Sequence, residues 1–378
     1  MALWNVFVGC YTQDLWTYFP RPDPDTTIPS EGIERFLFDD STGSLRHVDT
    51  TRDLLSPQYL ELHPSLPVLY ATEFARPGRL ISFGINPNGR LERQSTIDSL
   101  GALAIAQGIH PTGTFAYVGH LGDGVLTACP LDADGAVLGA GHVSPSAPQQ
   151  PDLRSPRSQY LGGCLDDYCA AEGSKLHQVR VTPNGDRLVV TDVGYDEVVT
   201  YALEPGGMVS PEPIARVKFP TGSAPRHVQF HPSGKIVYVV GEHDSRMYVL
   251  ESEEYAPHGI MSSHSVVASD YQGNSLPSEL QLHPDGRTLF VGVRRADCIT
   301  AFAVDESGGA ETLYCEPSLG RSPRAVKIDP AGRHLLVGNW HSNGISVFAI
   351  DDARRLRSLG EPVVVPSPSS IVFVLAST

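Results

Sequence analysis

The sequence has little positive charge for its length. Its 378 residues include 28 Lys and Arg against 43 Asp and Glu, which gives a formal net charge of −15. Nucleic acid is therefore not expected as a partner, because binding to phosphates requires a basic surface. An acidic surface mainly keeps a protein soluble, so arginines gathered in one pocket of such a protein would call for a specific explanation.

Long apolar runs are also missing. No run approaches the roughly 20 residues that a membrane-spanning helix requires, so no membrane association is expected. The N-terminal stretch MALWNVFVGCYTQ has neither the basic segment nor the long apolar segment of a secretory signal. We therefore expect a cytoplasmic protein.

Cofactor and metal motifs are absent from the sequence. There is no GxGxxG opening a helix, no P-loop and no GxSxG, so no cofactor is predicted. The cysteines are scattered, with no His or Cys pair at zinc spacing, and free thiols are expected in place of a disulfide framework or metal site. The six positions are Cys10, Cys129, Cys164, Cys169, Cys298 and Cys315.

What the sequence does contain is a repeat of one β unit. Each unit has an alternating strand that ends at a proline, a turn that carries glycine in five of six units, and a second, apolar strand. The anchor prolines are Pro64, Pro111, Pro183, Pro232, Pro284 and Pro330. Their spacing is 46 to 52 residues except for 72 between Pro111 and Pro183. This period, with one insertion, is typical of β-propeller blades.

The termini supply the strands of one more blade. Asn5–Thr12, Gly32–Phe38 and Leu45–Asp49 read as strands at the start, and Ser370–Leu375 reads as a strand at the end. A blade shared by both termini would close the ring and leave no open edge. We therefore predict an all-β, seven-bladed propeller forming a single domain over residues 1–378. Six blades with additional strands is the alternative.

The long gap between two units holds a polar segment, Ser144–Lys175, rich in Ser, Pro, Gln and Gly. We interpret it as an inserted loop. Because it directly precedes a first strand, it is expected at the end of the propeller where that strand begins. That end is also the predicted active-site end, where the loop could act as a lid.

The repeat predicts which side chains meet. The first two strands of a unit are antiparallel, so the start of the first lies beside the end of the second. Six residues before each anchor stand Gln58, Ile105, His177, Arg226, Ser278 and Arg324. Ten residues after it stand Phe74, Leu121, Val193, Glu242, Arg294 and Trp340, and nine after it Glu73, His120, Asp192 and Asn339. These residues should surround one mouth of the central channel.

Ionisable residues at equivalent positions differ from unit to unit, which favours a binding site over a purely structural repeat. Arginines bind carboxylate or phosphate and stabilise negative charge developing on an oxygen. Glu242 or His177 could transfer a proton beside them. The alternatives are a structural ion pair for Arg226 and Glu242, and a hydrogen-bonded channel histidine for His177. The histidines before anchor prolines repeat with the turn and are interpreted as turn packing: His63, His110, His231 and His283.

At these residues the sequence resembles the lactonase family of seven-bladed propellers, which includes bacterial-type 6-phosphogluconolactonases and fungal carboxy-cis,cis-muconate cyclases. The resemblance runs from Val8-Gly-Cys-Tyr-Thr12 to Asn339 and is most specific at Leu176-His177, Ala224-Pro-Arg-His227, Gly241-Glu242 and Val293-Arg294. It implies that the catalytic residues are His177, Arg226, Glu242 and Arg294. We expect substrate binding by Arg324, Gln58, Glu73, His120, Asn339 and Trp340.

Three functional hypotheses follow. The first is a cofactor-independent enzyme that opens or forms a lactone in a small anionic substrate, similar to 6-phosphogluconolactone or to a carboxymuconate. The second is a propeller of the same family that serves as a cyclase or isomerase in a biosynthetic pathway, since function lies in the site and not in the fold. The third is a non-catalytic propeller that binds a peptide or protein on one face.

Overall fold

The computed structural model describes residues 2–13, 26–143 and 173–377. Within these residues the regular structure is β-strand, apart from one short 3₁₀ turn, Trp340–Ser342. None of the described helical segments is long and apolar enough to cross a membrane. The high β content follows from short apolar runs rich in Val, Ile, Phe and Tyr, separated by Gly and Pro turns.

The strands form seven separate antiparallel sheets, or blades, numbered here along the chain. Blade 1 contains β1 (Leu3–Cys10), β2 (Ile33–Asp39), β3 (Ser44–Thr51) and β29 (Pro368–Leu375). Blade 2 contains β4 (Pro57–Leu62), β5 (Val68–Glu73), β6 (Arg79–Ile85) and β7 (Leu91–Asp98). Blade 3 contains β8 (Ala104–Ile109), β9 (Phe115–His120), β10 (Leu126–Pro130) and β11 (Gly141–Val143).

The remaining four blades follow the same order, and the last has one additional short strand. Blade 4 contains β12 (Leu176–Val181), β13 (Arg187–Asp192), β14 (Glu197–Leu203) and β15 (Val209–Lys218). Blade 5 contains β16 (Pro225–Phe230), β17 (Ile236–Gly241), β18 (Arg246–Glu253) and β19 (Ala256–Ser265). Blade 6 contains β20 (Leu276–Leu282), β21 (Thr288–Arg294), β22 (Cys298–Val304) and β23 (Ala310–Pro317). Blade 7 contains β24 (Pro323–Ile328), β25 (His334–Asn339), β26 (Gly344–Ile350), β27 (Leu356–Ser358) and β28 (Val363–Val364).

Blade 1 joins the two ends of the chain. Its innermost strand is β29, which pairs antiparallel with β1 from Trp4 opposite Leu375 to Cys10 opposite Pro368. The predicted seven-bladed propeller closed by both termini is therefore confirmed, and the six-bladed alternative is wrong. The inner strands β29, β4, β8, β12, β16, β20 and β24 contact one another in succession and line the central channel.

The hydrophobic core is divided among the interfaces between blades. Seven clusters of buried apolar side chains each draw their members from two neighbouring blades. The cluster between blades 1 and 7 contains Phe373 and Leu336, so it also ties the C-terminal strand to the last blade. An eighth cluster lies at one mouth of the channel.

The histidines that precede anchor prolines connect successive blades. The Nε2 atom of each lies 2.8 to 3.2 Å from the carbonyl oxygen of the turn glycine in the next blade. The pairs are His63 with Gly113, His110 with Gly185, His231 with Gly286 and His283 with Gly332. Since Nδ1 of His63, His110 and His231 accepts a backbone N–H two residues later, Nε2 of these rings carries the proton and donates. His283 Nδ1 lies 3.2 Å from the Asp285 backbone nitrogen and 2.9 Å from Asp285 Oδ1. The prediction of turn packing is confirmed.

The predicted loop Ser144–Lys175 lies outside the described residues except for Gly173, Ser174 and Lys175. The Ser174 hydroxyl donates to Asp192 Oδ2 at 2.6 Å, and the Lys175 N–H donates to Asp192 Oδ1 at 2.9 Å. The chain therefore enters β12 at the end of the propeller where His177 lies.

Candidate active site

A β-bulge recurs at the start of the inner strands and points one side chain of each strand into the channel. The ladder skips Gln58, Ile105, His177, Arg226 and Arg324, which are the residues six before the anchor prolines. In blade 6 it skips both Ser278 and Glu279. A bulged residue is left unpaired and its side chain is re-aimed, as is common next to active sites. The predicted positions are therefore special in the backbone as well as in the sequence.

A backbone hydrogen bond holds the residues ten after the anchor prolines against the start of the inner strand of the same blade. The N–H of Glu242 donates to the carbonyl of Ala224 at 2.9 Å, and that of Trp340 donates to Ser322 at 3.0 Å. The same bond joins Phe74 to Ser56 and Tyr11 to Ser367. All four acceptor residues have positive φ values between 44° and 61°. Tyr11 is thus the blade 1 equivalent of Glu242 and Trp340, and the predicted convergence at one mouth is confirmed for the backbone.

Glu242 lies between two arginines. Its Oε1 accepts a hydrogen bond from Arg294 Nη2, and its Oε2 lies 3.6 Å from Arg226 Nε. Burial alone would raise the pKa of Glu242, but Arg294 and Arg226 outweigh it and lower the pKa to about 2. Glu242 is therefore ionised at neutral pH and a weak base.

The fold fixes the two arginines by backbone contacts. Arg226 Nη1 donates to the carbonyl of Ser278, and Arg294 Nε donates to the carbonyl of Leu276 at 3.2 Å. Arg226 is only 2% exposed, and its burial, with the neighbouring cations, lowers its pKa to about 9 even though Glu242 acts in the opposite direction. Both guanidinium groups are preorganised, so an anion bound to them would not have to reorient them.

Two buried imidazoles lie beside the arginines. The rings of His177 and His227 are edge-to-face with centroids 5.3 Å apart, and the Nδ1 atoms of both make no hydrogen bond within the described residues. Burial lowers the pKa of His177 well below its ordinary value of 6.5, and the charge of Arg226 adds to the effect. The pKa of His227 is lowered in the same way. Both rings are therefore neutral at neutral pH.

A third arginine is held by aromatic rings. The Arg324 guanidinium carbon lies 5.2 Å from the Tyr11 ring centroid and 5.3 Å from that of Trp340. Gln58 Oε1 accepts from the Tyr11 hydroxyl at 2.7 Å and from Arg324 Nη2 at 3.3 Å, while Gln58 Nε2 makes no hydrogen bond in the described part of the chain. The structure thus brings the predicted residues Arg324, Gln58 and Trp340 together.

The mouth has an apolar half opposite its charged half. Buried aromatic and aliphatic side chains from blades 1, 2, 3 and 7 form the eighth hydrophobic cluster, and Tyr59 and Leu121 pack against it. Its members are Tyr11, Phe74, Leu103, Ile105, Ala106 and Trp340. The charged half comes from blades 4, 5 and 6, and Arg324 of blade 7 lies against Tyr11 and Trp340 of the apolar cluster. The arrangement suits a small molecule with an acid group at one end and a carbon-rich body.

Three residues predicted to bind substrate have polar groups that are engaged within the fold. Glu73 accepts the Leu55 N–H at 2.8 Å and pairs with Arg79 Nε at 2.5 Å. The two ring nitrogens of His120 lie 2.8 Å from Ser99 Oγ and 2.8 Å from the Val125 carbonyl. The Asn339 Nδ2 donates to Ser346 Oγ at 2.9 Å, while its Oδ1 makes no hydrogen bond within the described residues. Each of these contacts stays within or beside the residue's own blade, so all three are interpreted as blade-building residues.

Glu73→Gln should separate such a structural role from a catalytic one. We expect a loss of about 2 kcal/mol in the free energy of unfolding, because a buried charge-assisted contact is removed, with little change in kcat/KM. Urea denaturation and turnover measurements check both. The control is Glu31→Gln, whose ion pair with Arg52 is exposed on both sides (66% and 60%) and should contribute almost nothing. A large fall in kcat/KM in Glu73→Gln with unchanged stability would restore Glu73 to the site.

The sequence assigned no role to two residues of this mouth, although both lie in stretches that resemble the family. Tyr11 belongs to blade 1, whose inner strand comes from the other end of the chain, so no anchor proline marks its position. His227 follows Arg226 and should point away from the channel in a regular strand, but the bulge between Pro225 and His227 brings both side chains to the site. No group of three or more His, Cys, Asp or Glu in residues 2–13, 26–143 and 173–377 could hold a metal ion.

Comparisons with known proteins place this geometry in a family. The model of the "Lactonase, 7-bladed beta-propeller" family matches residues 5–373. A 6-phosphogluconolactonase of Bacillus subtilis is 27% identical over 288 residues, covering 74% of this chain and 76% of that protein. The periplasmic gluconolactonase of Pseudomonas aeruginosa superposes with a TM-score of 0.83 at 26% identity, over 99% of this chain and 100% of that one. The chain belongs to the lactonase family of seven-bladed β-propellers.

Proposed function

We propose that this protein hydrolyses a lactone in a small anionic substrate at the mouth built by His177, Arg226, Glu242 and Arg294. The observation that carries the proposal is a group of buried polar atoms without hydrogen-bond partners among the described residues. These atoms are His177 Nδ1, His227 Nδ1 and Gln58 Nε2. Buried polar groups are normally satisfied, so such a group beside three arginines is suited to the oxygens of a ligand.

The substrate's acid group would bind the arginines. Arg324 is fixed between Tyr11 and Trp340 and suits a carboxylate or phosphate, while Arg226 and Arg294 lie on the side of the imidazoles. An ester carbonyl bound near Arg226 would be polarised by it, and the oxyanion of the tetrahedral intermediate would be stabilised there. Glu242 keeps the two arginines in position and limits their mutual repulsion.

We assign His177 as the base, because its buried Nδ1 makes no hydrogen bond within the described residues and can accept a proton. A neutral imidazole can take a proton from water as the water oxygen attacks the carbonyl, whereas a carboxylate with a pKa of about 2 is a weak acceptor. Binding of an anion would offset the arginine charges and raise the pKa of His177 towards the range useful for catalysis. When the ring C–O bond breaks, the imidazolium returns the proton to the leaving alkoxide. One water is consumed, and a hydroxy acid is formed.

A lactone-forming cyclisation is the second candidate. The apolar half of the mouth favours a carbon-rich unsaturated acid over a polyhydroxylated sugar acid. In that reaction a substrate carboxylate adds to a double bond and the neighbouring carbon takes up a proton, which His177 would supply as the imidazolium formed when the bound anion raises the pKa of the ring. Microscopic reversibility allows the same residues to serve the opening and the closing of a ring.

The function is tested with a substrate panel. Acid release would be followed with 6-phosphogluconolactone, glucono-δ-lactone and a carboxylated butenolide, and absorbance would be followed with carboxy-cis,cis-muconate. We expect turnover of an anionic lactone. Turnover of the open-chain muconate without lactone hydrolysis would favour the cyclase. No turnover of any of these compounds by folded protein would contradict the proposal.

The pH profile on the active substrate tests His177 as the base. Because the folded pKa of His177 lies below 6.5, kcat/KM should be constant down to about pH 6.5 and fall only at more acidic pH, where the ring becomes protonated. His177→Gln should abolish this acidic limb and lower kcat by about a hundredfold or more. His264→Gln, which alters a half-buried histidine of outer strand β19, is the matched control. An acidic limb that persists in His177→Gln would contradict the assignment.

A further inference from the structure

A second chamber lies in the central channel, at the end opposite the candidate site. It is a cavity of about 230 Å³ lined by inner strands of six blades. Glu61, Arg180 and Lys327 line it, and each stands three residues further along its strand than a residue of the mouth. At about 3.3 Å per residue this places them about 10 Å deeper in the channel.

Three of the chamber's four charged side chains form no ion pair within the described residues, although Lys327 and Arg180 lie near enough to Glu279 to oppose the rise that burial causes in its pKa. Arg180 and Lys327 form no ion pair with the described carboxylates, and Glu61 forms none with the described cations. All three are half-buried. Glu279 differs, since its carboxylate accepts the Val326 N–H at 2.9 Å and the Gln281 amide at 3.3 Å. Half-buried charges held apart at one cavity are suited to a charged ligand.

Blade 3 brings no charged side chain between two opposite charges. Glu61 is on blade 2 and Arg180 on blade 4, and blade 3 between them lines the chamber with Gly108 and Ile109. A Cβ at Gly108 would lie 2.9 Å from the Val179 carbonyl oxygen, so close approach of β12 excludes a side chain there. Blade 3 therefore places only uncharged residues between the acid and the base.

Tyr59 separates the chamber from the candidate site. Its hydroxyl lies 3.3 Å from Gln178 Nε2, and its ring centroid lies 6.2 Å from that of His227. Burial, together with Glu61 and Glu279, raises the pKa of Tyr59 to about 12, so it stays protonated. The same ring thus packs against the mouth on one side and lines the chamber on the other.

We propose that this chamber binds a small zwitterion, a molecule of amino-acid size that carries one carboxylate and one ammonium group. The carboxylate would lie on the Arg180 guanidinium, which suits two carboxylate oxygens, with Lys327 supporting it. The ammonium would bind Glu61. A simple anion would leave Glu61 unpaired and a simple cation would leave Arg180 unpaired. A volume of 230 Å³ equals about eight waters at roughly 30 Å³ each, which accommodates such a molecule.

Calorimetric titration at low ionic strength with glycine, β-alanine and 4-aminobutyrate tests the proposal, and their different lengths report the charge separation. We expect at least one to bind, and Arg180→Gln and Glu61→Gln each to weaken it by about tenfold or more. Arg46→Gln, at an exposed position of β3, should bind as the unaltered protein does.

Acetate and methylammonium are the single-charge controls, and both should bind at least about tenfold more weakly than the best aminocarboxylate. Equal binding of acetate would overturn the zwitterion assignment. Absence of binding by all the probes would overturn the site. Melting temperatures show whether each variant is folded. If a variant does not fold, Lys327→Gln is tested in its place. Because no residue of the mouth is changed, these outcomes are independent of lactone turnover.

Discussion

Arg226→Ala is expected to lower kcat/KM on the anionic lactone by about two to three orders of magnitude. Arg226 is 2% exposed and is held by the Ser278 carbonyl with its Nε towards Glu242. It also lies close enough to His177 to lower the pKa of that ring. A guanidinium fixed in this way stabilises developing negative charge without reorganising. Replacing the side chain by alanine removes this stabilisation of the transition state.

The split between kcat and KM shows what Arg226 contacts. If it polarises the ester carbonyl, kcat falls and KM changes little; if it binds the acid group of the ground state, KM rises. Arg226→Lys keeps the charge but cannot bond to Ser278 and face Glu242 together, so it should recover only part of the activity. Arg187→Ala, which removes contacts to Glu253 and Glu254 at the other end of a blade, is the control. Full activity in folded Arg226→Ala would contradict the site.

The architecture was predictable because one proline repeats with the blades. The anchors set the phase of each unit, so the ends of adjacent strands could be matched by counting residues. Counting brought Glu242 next to Arg226 and Arg294, and the structure shows contacts among these three side chains. It could also place His177 at the same end, because β12 runs in the same direction as the other inner strands.

Counting could not show which polar side chains are free for a ligand. Glu73 and Glu242 are carboxylates at nearly equivalent positions of their blades. Glu73 pairs with Arg79 of the adjacent strand β6, whereas Glu242 pairs with arginines of the channel mouth. Arg79 lies outside the compared positions, so the repeat gave no sign of it. His120 and Asn339 were likewise assigned to substrate without knowledge of Ser99 and Ser346.

The β-bulges were the second feature that the sequence could not predict. A regular strand alternates its side chains, which would place Arg226 and His227 on opposite faces. The extra residue at the start of the inner strands breaks this alternation, and no residue type marks it, since Gln, Ile, His and Arg all occupy the bulged position. The position of His227 in the site, and the residue Glu279, therefore became apparent only from the structure.

The candidate site also has an effect on stability that Glu242→Gln should reveal. At pH 7 the variant is expected to lose about 3 kcal/mol in the free energy of unfolding, because two buried arginines lose their shared carboxylate. The depressed pKa gives the pH dependence. A carboxyl with a folded pKa of about 2 and an unfolded value near 4.5 stabilises the protein above pH 4.5 and loses that contribution as the pH falls towards 2.

Urea denaturation of both proteins between pH 7 and pH 2.5 measures this directly, since the difference between them removes the contribution of all other carboxylates. The difference should be largest above pH 4.5 and shrink in acid. A pH-independent difference would mean that Glu242 acts through packing and not through charge. Activity gives an independent reading. If Glu242 only positions the arginines, the variant has a low kcat and its pH profile keeps the acidic limb that is assigned to His177. If Glu242 is the general base, the acidic limb disappears in the variant.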